Sequence, residues 1–283
     1  MKKARASLAV AFLMLSVGSS TAFAGAPMGL PVATLEEGQW SVSAEYAHDK
    51  SDMEASGRLC YAFADISWAQ DFEIEDLTSN MFFAAASYGI CDNWNLFVRL
   101  GAADATDDVV LVPAYSDYAE TRGSLDAGYG LAWGIGTRAT FCRWGPWTFG
   151  GQAQVTWFRP NDGDLVVPDP VILDDVWVGE AEIEYWQTQI GIAAVYQIDT
   201  CRLWGGPFLQ FIEGDLDFKG AVEGESGGLT WRSDLEESSQ FGAHAGVDWN
   251  MADQWNLYVE GQITGDSWLV GVGAVFVPNT FGL

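Results

Sequence analysis

The chain is predicted to be an all-β, antiparallel up-and-down barrel of about ten strands that crosses a bilayer. Three observations carry the prediction. From Gly38 onward, apolar residues recur at every second position, the period of a β-strand. The connections between these runs alternate, one short and the next long, as in barrels with short turns at one end. The apolar faces also carry aromatic side chains at both ends, where a membrane has its two interfaces. Composition agrees, since 32 Gly, 14 Trp, 16 Phe and 9 Tyr suit strands and turns better than helices. With 39 acids against 13 bases, a net charge of −26 excludes a nucleic-acid partner held through its phosphates. A hydrophobic fraction of 49% excludes disorder.

The first element is an address. Lys2, Lys3 and Arg5, the apolar run Leu8–Val17 and the small-x-small site Ala22-Phe23-Ala24 make residues 1–24 a secretory signal peptide. The apolar run is too short to span a bilayer, and no later run reaches a transmembrane helix. Residues 25–283 are read as one domain, and losing those three bases takes the charge to −29.

Ten strands follow. Trp40, Val42, Ala44 and Tyr46 oppose Ser41, Ser43 and Glu45, and a second run is Phe82-Ala84-Ala86-Tyr88-Ile90. Leu96 to Ala102 carries Arg99 on its other face, and Tyr129 to Phe141 carries Gly130, Ala132, Gly134, Gly136 and Arg138. Trp147 to Trp157 backs onto Gln152 and Gln154, and Trp186 to Tyr196 onto Gln187, Gln189 and Gly191. The seventh strand, Pro207 to Ile212, is the weakest, with Leu209 and Phe211 outward. Phe241 to Trp249 carries His244 and Asp248, Trp255 to Ile263 carries Glu260 and Gln262, and Trp268 to Phe276 carries Gly271 and Gly273. Short turns fall near 91–93, 142–145, 200–206 and 250–254, while long acidic loops are assigned to 48–76, 104–127, 159–184 and 213–238. Asp92-Asn93-Trp94-Asn95-Leu96 recurs as Asp253-Gln254-Trp255-Asn256-Leu257, which makes the hairpin the repeating unit. Trp40, Trp94, Trp147, Trp157, Trp186, Trp255 and Trp268 are assigned to the interfacial girdles. A soluble sandwich would hide the apolar faces and has no use for Trp at both ends of one face.

On this pattern, residues 38–277 resemble the bacterial outer-membrane β-barrel proteins of the small, porin-like kind. The resemblance implies the cell outer membrane as location, with both termini in the periplasm and the long loops outside. It implies outer-membrane lipid, lipopolysaccharide and the barrel-assembly machinery as partners. Such chains usually end in an aromatic residue. Here the last strand is expected to stop at Phe276, or Phe281 to serve as a displaced signal.

Function divides into two readings. Glu45, Arg99, Arg138, His244, Asp248 and Glu260 point inward, and buried charges need partners or water. As a constriction they would give a narrow, cation-preferring channel for passive diffusion, its mouth negative because of the loops. As an ionic core they would plug the barrel, leaving it to display acidic loops for adhesion, envelope integrity or divalent-cation bridging to lipopolysaccharide. Small inward residues beside large ones favour the plugged interior. No cofactor is expected beyond a loop-bound divalent cation, and no resident metal, because Asp162-Gly163-Asp164 lacks the rest of a calcium loop. No enzyme is expected either. The two histidines, His48 beside Asp49 and His244 in the wall, belong to no recognisable catalytic motif. Of four cysteines, Cys91, Cys142 and Cys201 fall at inner-side turns. A Cys142–Cys201 disulfide is weighed against turn-end residues without a role, on the ~7 Å reach of a disulfide.

Overall fold

The computed structural model describes residues 22–23, 25–61, 66–113, 121–168, 176–223, 228–237, 240–265 and 267–278. Phe281 lies outside them. The described residues form thirteen strands in one sheet. They are β1 (Ala22–Phe23), β2 (Trp40–Tyr61), β3 (Ile66–Cys91), β4 (Trp94–Pro113), β5 (Thr121–Trp144), β6 (Trp147–Arg159), β7 (Gly163–Pro168), β8 (Val176–Ile198), β9 (Cys201–Val222), β10 (Leu229–Glu237), β11 (Phe241–Ala252), β12 (Trp255–Ile263) and β13 (Ser267–Phe276). No helix among them is long and apolar enough to cross a membrane.

The wall has two tiers. In the lower tier β2, β3, β4, β5, β6, β8, β9, β11, β12 and β13 follow one another, each antiparallel to the next. β13 meets β2 at Ser267–Ser51, with the His48 and Trp268 rings 5.4 Å apart across the same seam, and a ring of ten is closed. Tight turns join the strands at its base. Gly145 and Asp199 adopt φ of 59° and 49°, the left-handed twist a two-residue hairpin requires.

Above this ring the long-loop assignment is corrected. The segments 48–76, 104–127, 159–184 and 213–238 are largely strand. There β6, β11, β12 and β13 end, while β7 slots between β5 and β8, and β10 between β9 and β2. The result is a second ring of eight: β2, β3, β4, β5, β7, β8, β9 and β10. Register shifts at Ser51/Met53, Glu75/Thr78 and Ala103/Ala105 bend the wall where ten strands give way to eight. The seventh strand of the sequence reading is also longer than expected, running Cys201–Val222 and taking in the predicted turn after Cys201.

β8 explains the change of tier. Trp177, Ala181, Ile183, Tyr185, Gln187, Gln189, Gly191, Ala193 and Val195 all face inward along one unbroken alternation. The inward set is apolar up to Tyr185 and polar or small after it. The outward set inverts at Trp186, from Glu180, Glu182 and Glu184 to Thr188, Ile190 and Ile192. A wall in water hides its apolar face, whereas a wall in lipid shows it. Both arrangements therefore occur along a single strand of 23 residues, twice what a bilayer crossing needs. The upper interior is a packed core around Trp231, Trp177, Phe72 and Phe218, with Phe72 and Trp231 edge to face at 4.9 Å. Eight strands enclose about the space that side chains can fill.

Candidate functional site

The lower lumen is occupied by the chain itself. Residues 25–35 run inside the ring with Ala26 and Met28 wholly buried and Leu30, Val32 and Leu35 nearly so. Every inward charge named from the sequence lies in this lumen or at its base. Glu45, Arg99, His244, Asp248 and Glu260 are buried, and Arg138 is half-buried. Most of the set grips the N-terminal segment. Glu260 accepts from the backbone N–H of Met28 through Oε1 and of Gly29 through Oε2, both at 2.7 Å. Consecutive N–H groups converging on one anion form a nest, and Gly29 supplies the required left-handed turn with φ of 71°. Arg99 donates to the Pro27 carbonyl at 2.9 Å, and Arg138 to the Met28 carbonyl at 2.9 Å. Arg99 also stands 4.0 Å from Glu45, so two cations and two anions balance around the segment.

A glutamine collar completes the grip. Gln187 accepts from the Ala26 N–H at 2.7 Å, and Gln154 and Gln262 donate to the Ala26 carbonyl at 3.3 Å. Gln189 donates to Gln210 and to Gln262, each at 2.9 Å, which ties β8 to β9 and β12. Backbone enclosed at membrane depth has little water to bond, so a segment threaded there needs such side chains. The small inward residues make the room. A Cβ on Gly191 would lie 2.8 Å from Met28 Cε, and one on Gly271 would lie 3.3 Å from Pro27 Cβ. Gly136, Gly246 and Gly273 make the same room for the rings of Phe97, Trp204 and Tyr258.

Two of the named residues take no part in this grip. Asp248 accepts from Arg202 Nε and Nη2 at 2.9 and 2.6 Å near the base of the wall. His244 lies edge-on to Phe208, with 6.0 Å between ring centres. His48, at the rim, is hydrogen-bonded to Asn80 Oδ1 at 3.0 Å. The sequence reading missed Arg202, Gln210 and the whole segment 25–35. The signal it left was a stretch without charge after the signal peptide, Gly-Ala-Pro-Met-Gly-Leu-Pro-Val-Ala-Thr-Leu.

The outer wall is the second feature. Glu182 and Glu184 on β8, Asp215 and Asp217 on β9, and Arg232 and Asp234 on β10 line a cleft of about 480 Å³. Register places Glu184, Asp215 and Asp234 directly opposite one another across three strands, and Glu213, Glu236 and Glu54 likewise across β9, β10 and β2. Like charges in such rows oppose the folded state unless cations screen them. Arg232 approaches Asp217 at 3.4 Å, and Arg159 pairs with Glu182 and, at 3.7 Å, with Glu184. Among the described residues, no three Asp, Glu, His or Cys side chains converge as a metal site. Asp164 lies within β7, opposite Asp126 and Glu180, so the Asp162-Gly163-Asp164 stretch does not wrap an ion as a calcium loop does.

Between the tiers' ends, the outside of the lower ring is apolar. Leu100, Ile192, Val98 and Val259 are each more than half exposed, in a band too extensive for water to tolerate. Trp40, Trp94, Trp147 and Trp255 stand at its tight-turn edge, on the first residues of β2, β4, β6 and β12. Trp186 and the half-buried Trp157 and Trp268 stand at its outer edge, where Trp157 Nε1 donates to Glu184 at 2.9 Å. The Cys142–Cys201 disulfide is not formed; both thiols are free. Cys142 ends β5 and Cys201 begins β9, with β6 and β8 between them. Three strand spacings of about 4.8 Å put them beyond the ~7 Å reach of a disulfide.

No protein-family model matches the chain, and no curated protein matches it in sequence. Solved structures do match. The outer membrane protease OmpT from Escherichia coli shares 12% identity over 84% of this chain and 97% of its own, with a TM-score of 0.42. The translocator domain of the autotransporter NalP from Neisseria meningitidis shares 12% over 84% and 88%, at 0.40. The outer membrane protein OprG from Pseudomonas aeruginosa shares 10% over 85% and 97%, also at 0.40. At such identities the likeness concerns fold alone. With its closed ring, exposed apolar band and paired aromatic girdles, the chain has the architecture of a transmembrane β-barrel.

Proposed function

We propose that this protein is a sealed barrel whose working surface is the acidic wall of its upper tier. The observation that carries the reading is the state of the interior. Residues 25–35 fill the lower lumen, and an apolar core around Trp231 and Trp177 roofs it. The precursor is cleaved after Ala24 and inserted by the barrel-assembly machinery. In the outer membrane its carboxylate rows take up divalent cations, which bridge them to the anionic headgroups of lipopolysaccharide and tighten the envelope. Catalysis has no part in this reading, since His48 is engaged with Asn80 and His244 packs on Phe208.

The test is conduction. Purified protein reconstituted into a planar bilayer is expected to give no channel steps. Cation-selective steps at low salt would overturn the sealed barrel and establish the narrow cation-preferring channel. One observation favours that second reading: the Gln, Arg and Glu collar is polar and would line a wet passage if the segment withdrew. A further measurement addresses the surface. Binding to lipopolysaccharide is expected to need Mg²⁺ and to weaken when Asp215 and Asp234 are replaced by Asn.

A further inference from the structure

We propose that the lumen collar is a binding site for a free peptide end, and that its ligand is this chain's own N-terminus, released by cleavage after Ala24. Hydrolysis of the Ala24–Gly25 bond by a signal peptidase leaves a carboxylate on Ala24 and an ammonium on Gly25, with water supplying the oxygen. The new end then seats in the barrel from the periplasmic side. The proposal rests on the same occupied lumen as the sealed-barrel reading, but channel recordings test the seal and peptide exchange tests the site.

The segment behaves as a ligand rather than as a strand. Between residues 25 and 37 it forms no ladder with the wall, and its grip comes chiefly from wall side chains. Those contacts match its backbone unit by unit. The N–H groups of Ala26, Met28 and Gly29 all have acceptors at 2.7 Å, and the carbonyls of Pro27 and Met28 each receive an arginine at 2.9 Å. Pro27 and Pro31 have no N–H to satisfy, which is an advantage where water is scarce. Side chains add selectivity. Met28 fills the hollow over Gly191, and Leu30 and Val32 pack on Val195, Trp204 and Tyr258. Gly25 N, which cleavage would turn into the new ammonium, lies 3.4 Å from Gln210 Oε1, and cleavage would part it from β1, which pairs with β13 at Ser267 and Trp268. The link back to the wall is exposed at the base, where the Gly38 N–H donates to the Gly89 carbonyl at 2.9 Å.

The experiment uses the full chain. A specific protease site is inserted between Glu37 and Gly38, in the exposed link, and cut after folding in detergent. The fragment is expected to stay with the barrel on size exclusion and to exchange with a fluorescein-labelled peptide of residues 25–35. A Gly29→Val peptide, which cannot adopt the nest, is expected to bind at least tenfold more weakly. Mass spectrometry of the membrane-derived protein is expected to find Gly25 first. Loss of the fragment with no change in melting, equal binding of the Gly29→Val peptide, or a first residue beyond Leu35 would each overturn the proposal. Should the insertion prevent folding, Met28→Cys in an uncut chain whose four native cysteines are replaced by Ser decides. Its thiol is expected to resist a water-soluble maleimide and to react at least tenfold faster once Gly29→Val is added; equal rates would overturn the site.

Discussion

Replacing Glu260 by Gln changes the character of one buried group and almost nothing of its size. In the protein as it stands, both carboxylate oxygens accept a backbone N–H at 2.7 Å, from Met28 and from Gly29. A hydrogen bond to a charged acceptor contributes about 1.5–3 kcal/mol net. The amide keeps one oxygen, so one bond survives at roughly half strength, while its NH₂ is forced against the other N–H. Arg99 and Arg138 would also be left with Glu45 as the remaining lumenal anion beside them. Together these losses come to about 3 kcal/mol, near the lower end of what breaking a buried ion pair costs. For a domain of this size that lowers the melting temperature by roughly 6–12 °C. Circular dichroism in detergent, or the temperature at which the heat-modifiable gel band shifts, reads the change. Glu36→Gln, an exposed change in the same segment, is the control and should melt with the parent. Parental melting of Glu260→Gln would refute the claim that the nest holds the segment in place.

Other changes reach different parts of the molecule. Trp231→Ala removes the centre of the upper core and should cost about 3–5 kcal/mol. It should speed protease cutting within 53–61 or 213–222, while the membrane ring keeps its heat-modifiable band. Asp215→Asn relieves two like-charge neighbours, Glu184 and Asp234. It should raise stability by about 0.5 kcal/mol at low salt, an effect lost near 1 M where screening is nearly complete. Arg99→Ala should lower the melting temperature without opening a conductance, because residues 25–35 and the upper core still block the axis; channel steps from this variant would contradict the seal. Cys91 and Cys142, free and exposed at the base, should take up maleimide in folded protein, and reductant should leave gel migration unchanged.

How much of this was legible beforehand depends on where each residue's partner lies. The membrane ring was legible because lipid asks the same of every strand. Runs such as Trp147-Phe149-Gly151-Ala153-Val155-Trp157 show their outward face whatever stands beside them. The upper tier carries an equally regular alternation, with Glu180, Glu182 and Glu184 against Ala181, Ile183 and Tyr185. In sequence it reads as loop because it is apolar inward, the opposite sense to the ring below, and because acids are uncommon in strands.

By itself, then, the sequence determined the fold class, the ten membrane strands, the inward charges and the glycines that make room among them. The tertiary structure decided what those charges hold. Glu260 lies 231 residues from Gly29 and Gln187 lies 161 from Ala26, so no local period relates them. Only ring closure, which brings β4, β5, β6, β8 and β12 around one axis, creates a cavity that an aperiodic Gly- and Pro-rich segment can satisfy. The insertion of β7 and β10 is of the same kind. Strand pairing is a contact between distant segments, and whether a ring narrows from ten to eight depends on which neighbours are left with free edges.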